Sequence, residues 1–220
     1  MSDALAALNA ITDKVLSYRP QEKRKRAKHG LLLSGISVGS AREQFLERLS
    51  GHGKLPYKRY LGSPLRYAGG KSLAVGFVLE RLPNTITRLV APFLGGGSVE
   101  VACSMELGIS VIAYDVFDIL CNYWQVQLKH PEVLFCRLAA FPPTRKTFSE
   151  VKERLRQHWR EGKRLDRYDL AAYYYFNSNT SYGPHFLGWP SDVYLEEHRY
   201  KTMIEKVRVF RAPGMEVRCS

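Results

Sequence analysis

A Gly-rich stretch, Pro92-Phe93-Leu94-Gly95-Gly96-Gly97-Ser98, separates a short apolar run from a helix-forming one, and Asp115 follows 20 residues after Gly95 at the end of a second apolar run. Glycines at a strand-to-helix turn let backbone come close to a bound nucleotide. A carboxylate at the end of the next strand can accept hydrogen bonds from ribose hydroxyls. The pattern points to a nucleoside-containing ligand at the carboxyl ends of parallel strands. Two chemistries share that geometry: dinucleotides of the NAD type and S-adenosylmethionine. Glu100 stands where a dinucleotide site favours a third small residue, and a carboxylate there would face a pyrophosphate, which argues against NAD. An ordinary glycine turn of an α/β domain is the plain structural alternative.

A second cluster, Arg66-Tyr67-Ala68-Gly69-Gly70-Lys71-Ser72, ends like a phosphate-binding loop, but Leu65 occupies the position where that loop requires its first glycine. An ATPase is therefore a poor reading. A Gly-Gly-Lys turn before a helix can instead aim backbone N–H groups and an ammonium at a ligand carboxylate or a nucleobase acceptor atom.

The elements that must hold these residues follow from periodicity and punctuation. Helices are expected over 71–82, 99–107 (closed by Gly108), 119–128 (stopped before Pro131), 148–164 and about 195–207, with strands at 87–91, 109–114 and 215–219. Strand, helix and strand in succession make a βαβ unit, whose normal setting is a parallel sheet. The stretch 177–183, Asn-Ser-Asn-Thr-Ser-Tyr-Gly, reads as turn-rich. Ahead of all this, Leu5, Leu8, Ile11, Val15 and Tyr18 fall at helical spacing and a second helix is expected over 41–49, with a faint suggestion of a helix-turn-helix between them. The basic run Gln21 to Gly30 suits either phosphate contact or a solvated linker. Gly51 to Pro56 marks a boundary.

The 220 residues carry a net charge of +12, and residues 1–60 hold +7 of it, from 12 Lys+Arg against 5 Asp+Glu. Composition excludes a disordered or collagen-like chain, and no apolar run approaches the roughly 18–20 residues that cross a bilayer. With no signal-peptide pattern at the N-terminus, the expected setting is cytoplasmic. The four cysteines at gaps of 18, 15 and 83 form no Cys-x-x-Cys pair. That spacing argues against a zinc site or a disulfide framework, and for buried or inert thiols.

Taken in order, the motifs resemble a family. Arg-Tyr-Ala-Gly-Gly-Lys (66–71), Ala-Pro-Phe-Leu-Gly-Gly-Gly-Ser-Val (91–99), Ala-Tyr-Asp-Val-Phe-Asp-Ile-Leu-Cys-Asn (113–122) and Ala-Ala-Tyr-Tyr-Tyr-Phe-Asn-Ser-Asn-Thr-Ser-Tyr-Gly (171–183) are similar to the Dam-type (D12 class) DNA adenine N6-methyltransferases, from about Ser63 onward. The resemblance implies an α/β, Rossmann-like S-adenosylmethionine-dependent methyltransferase fold with a partial parallel sheet, a mostly helical recognition insert and a helical basic N-terminal extension. On this reading the extension covers 1–60, the cofactor-binding part 61–139, a recognition-like region 140–210 and the start of a further strand 211–220. S-adenosyl-L-methionine is the implied cofactor. Tyr67 and Lys71 would help hold it, Phe93, Gly95 and Gly97 would lie against its methionine moiety, and Asp115 would bind its ribose. Double-stranded DNA is the implied partner, with Lys152, Arg156, Asn179 and Tyr182 as candidate contacts; a solvated helix face explains the charges of 152–164 equally well. The implied reaction extrudes an adenine from the duplex and methylates it directly, without a metal.

Two positions depart from the family pattern, Ala91 where an acid is usual and Phe117 where an Asn is usual. The Asp-Pro-Pro-Tyr motif that supplies the adenine site in the family does not occur. The one Pro-Pro, in Phe141-Pro142-Pro143-Thr144, has neither the acid nor the aromatic. No catalytic residue is therefore assigned. The expectation is an enzyme fragment or one half of a split enzyme, whose sheet needs a complementary chain to cover an apolar edge beyond 215–219. The alternative is a non-catalytic DNA- or cofactor-binding protein that retains the fold.

Overall fold

The computed structural model describes residues 37–51 and 55–220. The helix expected over 4–18, the basic run 21–30 and the possible helix-turn-helix lie outside those residues. Helix α1 is Val38–Leu49, three residues longer at its start than expected because the Ser37 hydroxyl accepts from Ser40 N–H and caps it. Its buried face, Ala41, Phe45 and Leu49, belongs to the same core as the rest. Arg48 and the Tyr60 hydroxyl meet on opposite oxygens of Glu106, and Arg42 reaches Leu82 O and the Asn84 side chain.

Three parallel strands, β1 (Arg88–Ala91), β2 (Ser110–Asp115) and β3 (Met215–Cys219), form a sheet in the order β1-β2-β3. Arg88 pairs with Ser110 and Ala91 with Ala113; on the other side of β2, Val111 pairs with Met215 and Asp115 with Cys219. The architecture is α/β, as expected. Helix α3 (Ser98–Leu107) makes the β1–β2 crossover and ends at Gly108, whose φ of 66° only glycine takes without cost.

Between β2 and β3 run α4 (Asp118–Lys129), α5 (Pro131–Ala139), α6 (Arg145–Glu161), α7 (Arg167–Thr180), a single turn α8 (Asp192–Leu195) and α9 (Glu197–Val209). Helix α7 is buried nearly all round, polar residues of its last turn included, and forms the centre of this region, packed by α4, α5 and α6. Tyr123 of α4 stacks on Tyr175 of α7 at 5.8 Å, and the Tyr175 hydroxyl donates to Met203 O.

Several expectations are corrected here. The helix anticipated over 71–82 is only α2, Val75–Glu80, because residues 71–74 form turns after the paired glycines. The helix expected over 119–128 does end before Pro131, at Lys129, but Pro131 also starts a further, unexpected helix, where at N1 its missing N–H is no loss. The stretch 177–180 is not a turn but the last, fully buried part of α7. The apolar exposure at the sheet's border falls on β1, where Val90 and, just beyond the strand, Phe93 are open, whereas Met215 and Val217 of β3 are buried. No described strand pairs with the outer edge of β1 or of β3.

Candidate functional site

The glycine turn leaves β1 at Ala91 and enters α3 at Ser98, beside the carboxyl end of β2. Leu94 N–H extends the β1–β2 ladder by donating to Tyr114 O. Asp115 then fixes the turn with its side chain. Its Oδ2 accepts from Gly95 N–H at 2.9 Å and its Oδ1 from Phe117 N–H at 3.1 Å. One carboxylate thus joins the ends of both strands to the start of α4, and it keeps unused lone pairs at each oxygen.

The glycines are needed for what lies on them. A methyl at Gly96 would stand 2.6 Å from Tyr67 Cβ, and one at Gly95 would stand 3.0 Å from the Tyr67 ring. At Gly97, whose φ is +64°, a methyl would come within 2.8 Å of the Trp124 ring, and the Trp124 indole N–H donates to Gly95 O at 3.0 Å. The close neighbours of this turn are therefore two aromatic side chains. Ser63 Oγ donates to Gly96 O at 2.7 Å, which ties the segment before Tyr67 to the same turn.

Tyr67, Gly95, Gly97 and Asp115 are accordingly brought together. Tyr67 is half-buried, and burial together with the charge of Asp115 holds its phenol above the ordinary range. Tyr174 of α7 adjoins it, its phenol raised chiefly by burial and further by Tyr67. Phe117 and Phe186 pack edge to face at 5.0 Å and both meet Tyr174, so an aromatic wall stands beside Asp115. Lys71 is exposed and folds back to donate to Gly69 O at 2.9 Å. Phe93 is 84% exposed at the outer side of the turn.

At the first turn of α3, Glu100 is buried and accepts from the N–H groups of Val99 and Glu100 itself. Burial raises its carboxyl above the usual range, and these N–H groups pull the other way. An acid at this place competes with any external anion for the N–H groups of Val99 and Glu100.

The four residues expected at DNA divide. Lys152 Nζ donates to Gly188 O at 2.9 Å and lies 4.6 Å from the centre of the Trp189 ring. Tyr182 is half-exposed opposite Trp189, whose carbonyl accepts its N–H. Arg156 is exposed on α6 and paired with Glu153. Asn179 is corrected: it is 1% exposed, its Oδ1 accepts from Arg66 N–H at 2.7 Å and its Nδ2 donates to Pro64 O, so it faces the protein interior and not a DNA surface.

Sequence reasoning missed Arg66 and Trp189. Burial of the Arg66 guanidinium lowers its pKa; the group lies 3.6 Å over the Tyr194 ring and donates to Asn179 O and Ser181 O at the end of α7. A cation on the last carbonyls of a helix is a favourable C-terminal cap. Its adjacency to Tyr67 was the available signal. Trp189 is 78% exposed on the loop between α7 and α8; an isolated Trp beside Gly and Pro is the trace it leaves in sequence.

Residues 67–216 match the family of D12 class N6 adenine-specific DNA methyltransferases. No curated protein matches the chain. No described helix is long and apolar enough to cross a membrane.

Proposed function

Because the chain belongs to the D12 class of N6 adenine-specific DNA methyltransferases, we propose that its glycine turn and Asp115 bind S-adenosyl-L-methionine for transfer of a methyl group to adenine N6 in duplex DNA. The observation that carries this reading is the Asp115 carboxylate, which bridges Gly95 and Phe117 at the carboxyl ends of two parallel strands with Tyr67 against the same turn. Ligands of open parallel sheets bind at that end, and a Rossmann-like arrangement is the setting we infer. The residues suit this group better than a dinucleotide. The free lone pairs of Asp115 can accept from two ribose hydroxyls, whereas Glu100 competes for the N–H groups a pyrophosphate would need.

When bound, S-adenosyl-L-methionine supplies an electrophilic methyl carbon on a sulfonium. The protein's part in our reading is to orient and to exclude water. Asp115 would hold the ribose, the half-buried face of Tyr67 would limit the pocket on one side, and Phe117, Tyr174 and Phe186 would provide an apolar wall. Lys71 would need to leave Gly69 O to reach a ligand carboxylate. On the DNA side, Lys152 and Tyr182 converge with Trp189 on one loop, where a cation and aromatic faces suit phosphate and base together. Arg156 would add to the phosphate contacts.

A second reading rests on a specific observation. Val90 and Phe93 are open along the outer edge of β1, with which no described strand pairs. A protein that keeps the fold and binds cofactor and DNA, with a further strand along β1 needed for the adenine site, fits this exposure. Methyl transfer to adenine in duplex DNA, measured for the chain alone, separates the two: turnover supports a self-sufficient enzyme, and cofactor binding without turnover supports the binding or split form.

A further inference from the structure

The cysteine gaps gave no hint of pairing, yet the fold brings two of the four together behind Asp115. Cys121 sits in the first turns of α4 and Cys219 ends β3 directly across the ladder from Asp115. The Cys121 Sγ donates to Asp115 O at 3.3 Å and lies 3.8 Å from Arg218 O, the residue before Cys219. Cys219 is the next residue along the strand, opposite Asp115, and its thiol neighbours that of Cys121. Cys121 is buried and Cys219 exposed.

We propose that Cys121 and Cys219 form an oxidisable dithiol whose disulfide ties α4 to β3 across the backbone of Asp115. The exposed partner reacts first. Peroxide oxidises the Cys219 thiol to a sulfenic acid with release of water; the Cys121 sulfur then attacks that sulfur, its proton and the departing hydroxyl leave as a second water, and the S–S bond forms. Two thiols lose two electrons and one peroxide is reduced to two waters. The order follows from the environment. Burial, with the neighbouring Cys219 thiol, pushes the Cys121 thiol up to about 12, so Cys121 is the poorer first nucleophile and serves to resolve the sulfenic acid held beside it.

The disulfide has a consequence for the strand end. Bonding brings the sulfurs to about 2.05 Å, which removes the S–H donated to Asp115 O and draws the first turns of α4 toward β3. Asp115 and Phe117, which contact one another through Oδ1 and N–H, lie between those elements. The predicted result is a change in ligand affinity at Asp115. This part rests on the cofactor reading above; the pairing itself does not.

The test is peroxide titration of the full chain, followed by alkylation and non-reducing peptide mapping, for the wild type, Cys219→Ser and Cys121→Ala. The proposal expects a 121–219 disulfide peptide in the wild type, reversed by dithiothreitol and absent from both variants, with Cys219 of Cys121→Ala advancing to sulfinic acid. An alkylatable Cys121 in oxidised wild type, or pairing of Cys219 with Cys136 instead, overturns it. Calorimetry with S-adenosylmethionine on reduced and oxidised wild type expects at least a threefold weaker binding after oxidation. Equal binding overturns the regulatory consequence. No binding by the reduced protein overturns the cofactor reading while leaving the mapped disulfide to decide the pairing.

Discussion

Arg66 and Asn179 are bound to each other twice: Asn179 Oδ1 accepts the Arg66 backbone N–H at 2.7 Å, and Arg66 Nη1 donates to Asn179 O at 2.7 Å. The pair connects the segment that carries Tyr67 to the end of α7, 113 residues away in sequence. The position of Tyr67 on the glycine turn therefore depends on the recognition-like region as well as on its own neighbours.

Replacing Asn179 by Ala leaves the Arg66 N–H without its acceptor, and replacing Arg66 by Ala uncaps α7. Each should cost about 1–3 kcal/mol, read as a lowered urea midpoint with an unchanged slope. If Asn179→Ala instead weakened DNA binding at wild-type stability, the structural role assigned to Asn179 would be wrong.

How much of this was legible in the sequence depends on the residue. The strands, the crossover helix α3 and the meeting of Gly95, Gly97 and Asp115 followed from local signals, since a βαβ unit is punctuated by its own glycines and completed within about 30 residues. Asn177 to Thr180 misled because polar, turn-forming types are read as exposed. Here all four are buried; Asn179 is bonded to partners far away in the chain, Arg66 and Pro64, Asn177 Oδ1 accepts from Leu187 N–H in the following loop, and the Thr180 hydroxyl donates back to Phe176 O. Pro131 correctly marked the end of α4, but the helix α5 that it opens went unread because a proline is taken as a stop before it is taken as a start. The β1 edge was misplaced because the order of strands along the chain does not give their outer face.

Gly96→Ala and Gly97→Ala test the turn. The first forces a methyl to within 2.6 Å of Tyr67 Cβ, and the second adds a left-handed penalty to a contact of 2.8 Å with Trp124. Left-handed backbone alone costs an alanine about 1–2 kcal/mol. Both variants should lose thermal stability, and Gly96→Ala should in addition weaken ligand binding by moving Tyr67. A Gly96→Ala protein with wild-type affinity would show that Tyr67 does not shape the site.

Glu100 predicts a pH dependence. Its carboxyl is raised in the folded state, so the folded protein binds more protons than the unfolded one between the ordinary carboxylate range and the raised value. Stability attributable to this group falls as pH rises through that window. Glu100→Gln keeps an acceptor for the helix N–H groups and removes the charge. It should be more stable than wild type at pH 7.5, with the difference shrinking toward pH 4.5 in parallel urea titrations; a difference that is flat with pH contradicts the assignment.

Trp189 and Lys152 divide the DNA contribution. Trp189→Ala should lower affinity by the ~1–3 kcal/mol of base stacking with little change in salt dependence, and Lys152→Gln should reduce the slope of log affinity against log salt by about one phosphate contact. Fluorescence anisotropy over a salt series measures both, and wild-type behaviour in the two variants would move the DNA surface elsewhere.

The central claim is that Asp115 and the glycine turn bind S-adenosylmethionine, and calorimetric titration of the full chain and of Asp115→Ala with S-adenosylmethionine and with NAD tests it most directly. The account predicts saturable binding of S-adenosylmethionine and none of NAD. In Asp115→Ala it predicts a loss of about tenfold or more, matching the ~1.5–3 kcal/mol of a charge-assisted hydrogen bond. Binding of NAD in preference, or S-adenosylmethionine affinity unchanged by the substitution, would contradict it.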